Sequence, residues 1–143
     1  MARTDTTHFN STRDATAKLV LRVMLGVLLL FHGLSKLTGG IAPIGESLTK
    51  AGLPAALSYG VYVGEVLAPI LLVIGAWTRP AALVVAINMV VAIALVHTSQ
   101  LLSVGETGGY ALELQAMYLF TALAVALLGA GRFSLGGAQG RWN

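Results

Sequence analysis

The chain has 143 residues, 56% of them hydrophobic and only 10% charged, with a net charge of +3 and a mean hydropathy of +0.79. A soluble domain of this size has too little core to hide so much apolar surface, so the composition points to lipid as the solvent. There is no cysteine, which excludes dithiol redox chemistry, thiolate metal sites, CxxCH haem attachment and structural disulfides.

The polar stretch Met1–Lys18 is too long for a signal-peptide head, and no small-x-small cleavage site follows the next apolar run, so a retained first helix is expected. Four runs are each about long enough to cross ~30 Å of hydrocarbon: Leu19–Leu37, Leu57–Trp77, Pro80–Val96 and Ala111–Gly129. Arg3, Arg13, Lys18, Arg79, Arg132 and Arg141 fall on one side of these spans, and Lys36, Lys50 and Glu106 on the other. The positive-inside bias then places both termini in the cytoplasm. Nucleic-acid binding finds no aromatic-basic motif to support it.

Taken as a helix with Arg22 at zero, Leu25, Gly26, Leu29, His32, Gly33 and Lys36 fall within about 120° of arc, and the remaining positions are lipid-like Leu and Val. Small and ionisable residues in a span face the bundle interior, so this stripe is the predicted buried face. Arg22, close to the inner boundary, also suits snorkelling to headgroups. Between the first two spans, IAPIGESLTKAGLPAAL is too polar and too broken by Pro and Gly to cross, but Ile44, Leu48 and Ala51 share helical spacing. It reads as a short amphipathic helix on the outer surface.

The second span carries Glu65 roughly 12 Å below its outer end, too deep for easy snorkelling. Pro69 lacks the N–H that would bond the Glu65 carbonyl, so a kink is expected there. Trp77-Thr78-Arg79-Pro80 allows only a tight turn, with Pro80 suited to a first helical turn, which makes spans two and three an antiparallel hairpin. Span three brings Asn88 at mid-membrane and His97 at its outer end. Nine residues separate them, about 180° around a helix, so both face one site only if the helix end unwinds. Asn88 is taken as interior and His97 left open. Span four adds Glu113, with Met117, Phe120 and Ala124 on its side. Lys36 and Glu113 suit an exposed ion pair or headgroup contact as well as a ligand role.

The expected fold is all-α: a four-transmembrane-helix bundle (19–131) with a short amphipathic outer segment between helices 1 and 2. A cytoplasmic polar segment (1–18) precedes it and a cytoplasmic tail (132–143) follows. RVMLG at Arg22–Gly26, HGLSK at His32–Lys36, the Glu65 span ending in GAWTRPAALV and the closing ELQAMYLFTALAVALLGAGRFSL together resemble the DoxX family over Lys18 to about Leu135. Gly136 departs from the pattern, where an acidic residue is expected. The resemblance implies a multi-pass protein of the bacterial inner membrane, with relatives that include the small subunit of a thiosulfate:quinone oxidoreductase.

Three readings follow. In the first, the protein is the membrane subunit of a quinone-linked oxidoreductase, with Glu65 and His32 as catalytic proton-relay residues and a redox partner protein or a second copy beside it. In the second, it is a binding or transport protein in which Glu65, His32, His97 and Glu113 hold a metal ion or small polar ligand, with Arg22, Lys36 and Asn88 as further ligand-binding candidates. In the third, the polar cluster only ties helices together. Quinone is the cofactor the first reading admits; a bis-histidine haem on His32 and His97 is not expected, and no particular metal is indicated.

Overall fold

The computed structural model of the protein describes residues 5–105, 108–137 and 140–143. Helix α1 (Asp5–Gly39) runs through the polar segment into the first apolar span without a break. At ~52 Å it is longer than the hydrocarbon is thick, so its polar end projects beyond it. The short α2 (Ala42–Lys50) has Pro43 in its first turn and buries Leu48, in keeping with its amphipathic spacing. Helix α3 (Ala55–Ile74) opens with a 3₁₀ turn and carries a π-turn over Val63–Leu67. Helices α4 (Thr78–Val96) and α5 (Glu113–Leu128) follow. Arg3 and Glu106, expected on the inner and outer sides, lie outside the described residues.

Among the described residues, three helices are long and apolar enough to cross a membrane: Ser11–Gly39, Ala55–Ile74 and Thr78–Val96. The expected fourth span is shorter. Helix α5 has 16 residues, about 24 Å, because the backbone leaves helical geometry at Leu112 and again at Gly129, where φ is 74° and ψ is −176°.

The four apolar helices close a ring in which α1 touches α3 and α5, and α4 touches α3 and α5. Their shared core contains Leu25 and Leu29 of α1, Ala68 and Leu72 of α3, Ala82 and Val85 of α4, and Ala122 and Val125 of α5. Phe31, Leu34, Ile87, Phe120 and Leu127 point outward. Apolar residues on both faces of a helix are what a lipid solvent permits and water would not.

The predicted stripe on α1 is the face that packs on α3. Arg22, Leu25, Gly26, Leu29 and Gly33 are buried, whereas of the other two members of the stripe Lys36 is only half-buried and His32 is exposed, because both lie at the open end of the ring. A Cβ added at Gly26 would lie 2.8 Å from the Pro69 carbonyl oxygen, and one at Gly33 would overlap the Glu65 carbonyl oxygen. The glycines therefore set the distance between the two helices. Gly33→Ala is expected to cost about 1–3 kcal/mol, because backbone cannot step aside as a side chain can. Ala94→Leu, at an exposed position of α4, should be tolerated. Equal melting temperatures for the two variants in detergent would rule out this close contact.

Arg22 corrects its sequence reading. It is 1% exposed and points into the protein. Its Nε donates to Ala130 O at 3.2 Å, its Nη1 to Leu72 O at 2.8 Å and Val73 O at 2.7 Å, and its Nη2 to Phe133 O. These carbonyls lie in the last turn of α3 and in the chain beyond α5. Gly75, left-handed at φ 71°, ends α3 with Ala76 N–H on Leu71 O and Gly75 N–H on Leu72 O, a Schellman pattern. A Cβ at Gly75 would sit 2.8 Å from the Arg22 guanidinium carbon, so glycine serves both the turn and the arginine.

The tail folds back over the same end. Asn143 Oδ1 accepts from the Thr78 hydroxyl at 3.1 Å and from the Thr78 N–H at 3.3 Å. Gly136 leaves room for the Asn143 carboxamide.

Candidate functional site

At the end of the ring opposite Arg22, α1 and α3 meet through an ion pair. The Lys36 ammonium lies 2.5 Å from both carboxylate oxygens of Glu65, whose side chain is 4% exposed against 30% for Lys36. Asn88 of α4 donates from Nδ2 to Glu65 Oε1 at 3.2 Å. One carboxylate thus joins three helices.

The local backbone explains why Glu65 points there. With no N–H at Pro69 to hold the Glu65 carbonyl, the helix takes an extra residue into one turn, and Ala68 N–H bonds Val63 O five residues back. The expected kink at Pro69 is therefore a π-turn, which rotates Glu65 relative to the rest of α3. Gly64 in the same turn leaves space for Asn88: a Cβ there would lie 2.7 Å from the amide oxygen.

The ion pair forms one wall of a cavity of about 130 Å³, completed by His32, His97, Gln115 and Tyr118 over a floor of Leu29 and Met89. The His32 and Tyr118 rings meet edge to face with centroids 5.7 Å apart. His97 reaches this cavity because α4 ends at Val96 and the backbone turns at φ −116°, ψ 11°. The unwinding that Asn88 and His97 require in order to share one site is therefore present. Gln100 Oε1 lies 3.0 Å from His97 Nδ1 and Gln115 Nε2 lies 3.3 Å from Nε2, so the ring is held at both nitrogens. Among the described residues, Gln115 Oε1 is buried without a hydrogen-bond partner. A buried acceptor at the edge of a polar cavity is suited to a water or a ligand donor.

A family model described as DoxX matches residues 17–98, more than half of the chain. The chain belongs to the DoxX family. No curated relative and no solved structure matches it. The matched stretch of this DoxX-family chain covers α1 to α4 and so includes Arg22, His32, Lys36, Glu65, Asn88 and His97. It stops short of α5, so Gln115 and Tyr118 lie beyond it.

Of the seven residues singled out from the sequence, five come together: His32, Lys36, Glu65 and His97 around the cavity, and Asn88 behind the carboxylate. Arg22 is at the other end of the ring. Glu113 is exposed, with its carboxylate beside Gly109, and its expected companions Met117 and Phe120 are each 66% exposed. The face of α5 turned inward is Gln115, Tyr118, Ala122 and Val125, because the last two fit against the alanines of α4. Among the described residues, no group of three His, Cys, Asp or Glu side chains is placed to hold a metal ion.

Proposed function

We propose that this chain is the membrane-embedded subunit of a quinone-linked oxidoreductase complex, and that its polar cavity exchanges protons through Glu65 and His32. The observation that carries the reading is the company Glu65 keeps. A buried carboxylate, tied to an ammonium and an amide, shares a small cavity with two histidines and a tyrosine, all groups that can pass or hold a proton. Quinone reduction consumes protons as well as electrons. With no cysteine in the chain, the electrons come from a redox partner protein. Glu65 holds or releases a proton at its carboxylate, Lys36 and Asn88 fix its position, and His32 connects it to the open side.

Bilayer sidedness belongs to the same reading: inner bacterial membrane, both termini and the segments 1–18 and 132–143 in the cytoplasm, the polar cavity in the outer half. Support comes from Lys18, Arg79 and Arg132, which gather at the Arg22 end. Because the chain has no native cysteine, Lys50→Cys and Arg141→Cys can report this directly. An impermeant maleimide on intact cells should label position 50 and spare 141, and the reverse pattern would turn the protein over.

Function is tested on the complex isolated with a tagged copy of this chain. Glu65→Gln is expected to lower quinone-linked turnover about a hundredfold or more while the complex still assembles. Unchanged turnover would remove Glu65 from the chemistry.

A further inference from the structure

Beside the polar cavity, on the other side of Asn88, lies a second and larger space that the proton-exchanging role does not use. It measures about 530 Å³ and is enclosed by Leu48 of α2, Val61 and Val63 of α3, and Ile87 and Val91 of α4. That volume is in the ordinary range for a small-molecule site. Val63, Ile87 and Val91 are 46%, 62% and 44% exposed, so the cleft is open on the face turned to lipid.

Its lining holds no charged side chain and two polar ones with capacity to spare. Asn88 gives one amide proton to Glu65; among the described residues its other proton and its Oδ1 take no hydrogen bond. Ser58 is only 6% exposed, and its hydroxyl likewise takes none. Asn88 is half-buried and Ser58 buried, so each presents hydrogen-bonding capacity at the wall of the cleft that a ligand can take up. An amide offers a donor and an acceptor side by side, which suits a head group presenting either a carbonyl or a hydroxyl. Without a cation in the wall, an anionic phosphate or carboxylate head would be buried uncompensated.

We propose that this cleft binds a neutral lipophile with a single tail and a carbonyl or hydroxyl head, which enters sideways from the bilayer and hydrogen-bonds to Asn88. The inference deepens the quinone-linked reading and rests on it for the identity of the head group. Asn88 then stands between the two sites, holding Glu65 with one N–H and the ligand with the rest of its amide.

The test uses the whole protein in nanodiscs with a short-tailed azidoquinone, photolysed and mapped by peptide mass spectrometry. Label is expected on α3 and α4 around Val61, Ile87 and Val91. Ile87→Trp, which fills the cleft from an exposed position, should abolish labelling without lowering the melting temperature. Asn88→Leu should weaken competition by unlabelled quinone roughly three- to tenfold.

Competition by a monoacylglycerol in place of quinone would keep the site and assign its natural occupant to neutral single-chain lipids. Competition by palmitate anion as strong as that by quinone would overturn the neutral-head assignment. Label on α1 and α5 around His32 and Tyr118, or label undiminished in Ile87→Trp, would overturn the cleft. Turnover of Glu65→Gln is measured separately, so failure of the proton role and failure of the cleft are told apart.

Discussion

Arg22→Lys is expected to destabilise the protein severely although it keeps the charge. The guanidinium spreads hydrogen bonds over four backbone carbonyls, two in the last turn of α3 and two in the chain beyond α5. Carbonyls at a helix C-terminus have no partner within the helix and carry the negative end of its dipole, so a planar cation with a fixed fork of donors is well matched to them. A lysine ammonium has three donors at a single point and cannot reach both sets. Hydrogen bonds from a charged donor are worth about 1.5–3 kcal/mol each, so losing two implies a cost of at least ~3 kcal/mol, and Arg22→Met more. For a chain of this length that corresponds to a melting temperature lower by on the order of 10 °C. An arginine that only snorkels to headgroups would be replaced by lysine with little change. Equal melting curves for Arg22→Lys and the native protein would return Arg22 to that role.

What could be read from the sequence and what could not separate along physical lines. The buried face of α1 was legible from Arg22 to Gly33 because Arg22 and the two glycines stand out at helical spacing against leucine and valine, but the exposure of His32 at its open end was not. Helix α2 was legible for the same reason. The disturbance at Pro69 followed from a missing N–H, though not its form as a π-turn. Helix α5 gave no such signal. Lipid and core are both apolar, so ELQAMYLFTALAVALL looks alike on every side, and the choice between Glu113 and Gln115 as the inward residue depends on how closely the alanines of α4 approach. The partners of Arg22 were hidden because they are backbone carbonyls, which carry no residue signature. Those of His97 depend on where one helix stops.

Lys36→Met is expected to be the most damaging single change at the polar end, and adding Glu65→Gln is expected to restore much of what it loses. Removing the ammonium leaves a carboxylate with 4% of its side chain exposed and, among the described residues, a hydrogen bond from Asn88 alone, and breaking a buried pair in this way costs about 3–5 kcal/mol. The opposite change is milder. In Glu65→Gln the new amide still accepts from Asn88, and the Lys36 side chain, 30% exposed, can turn toward headgroups. With both charges gone most of that penalty is relieved, so melting of the two singles and the double should reveal a coupling of about 3 kcal/mol. Stability and function then come apart, because the double variant has a sound fold and no ionisable group at position 65. If it assembles with its partner but turns over quinone no faster than Glu65→Gln alone, the carboxylate serves the chemistry and Lys36 holds it in place. If it turns over at the native rate, the ion pair only fastens α1 to α3, and the proton-exchange role of this cavity falls.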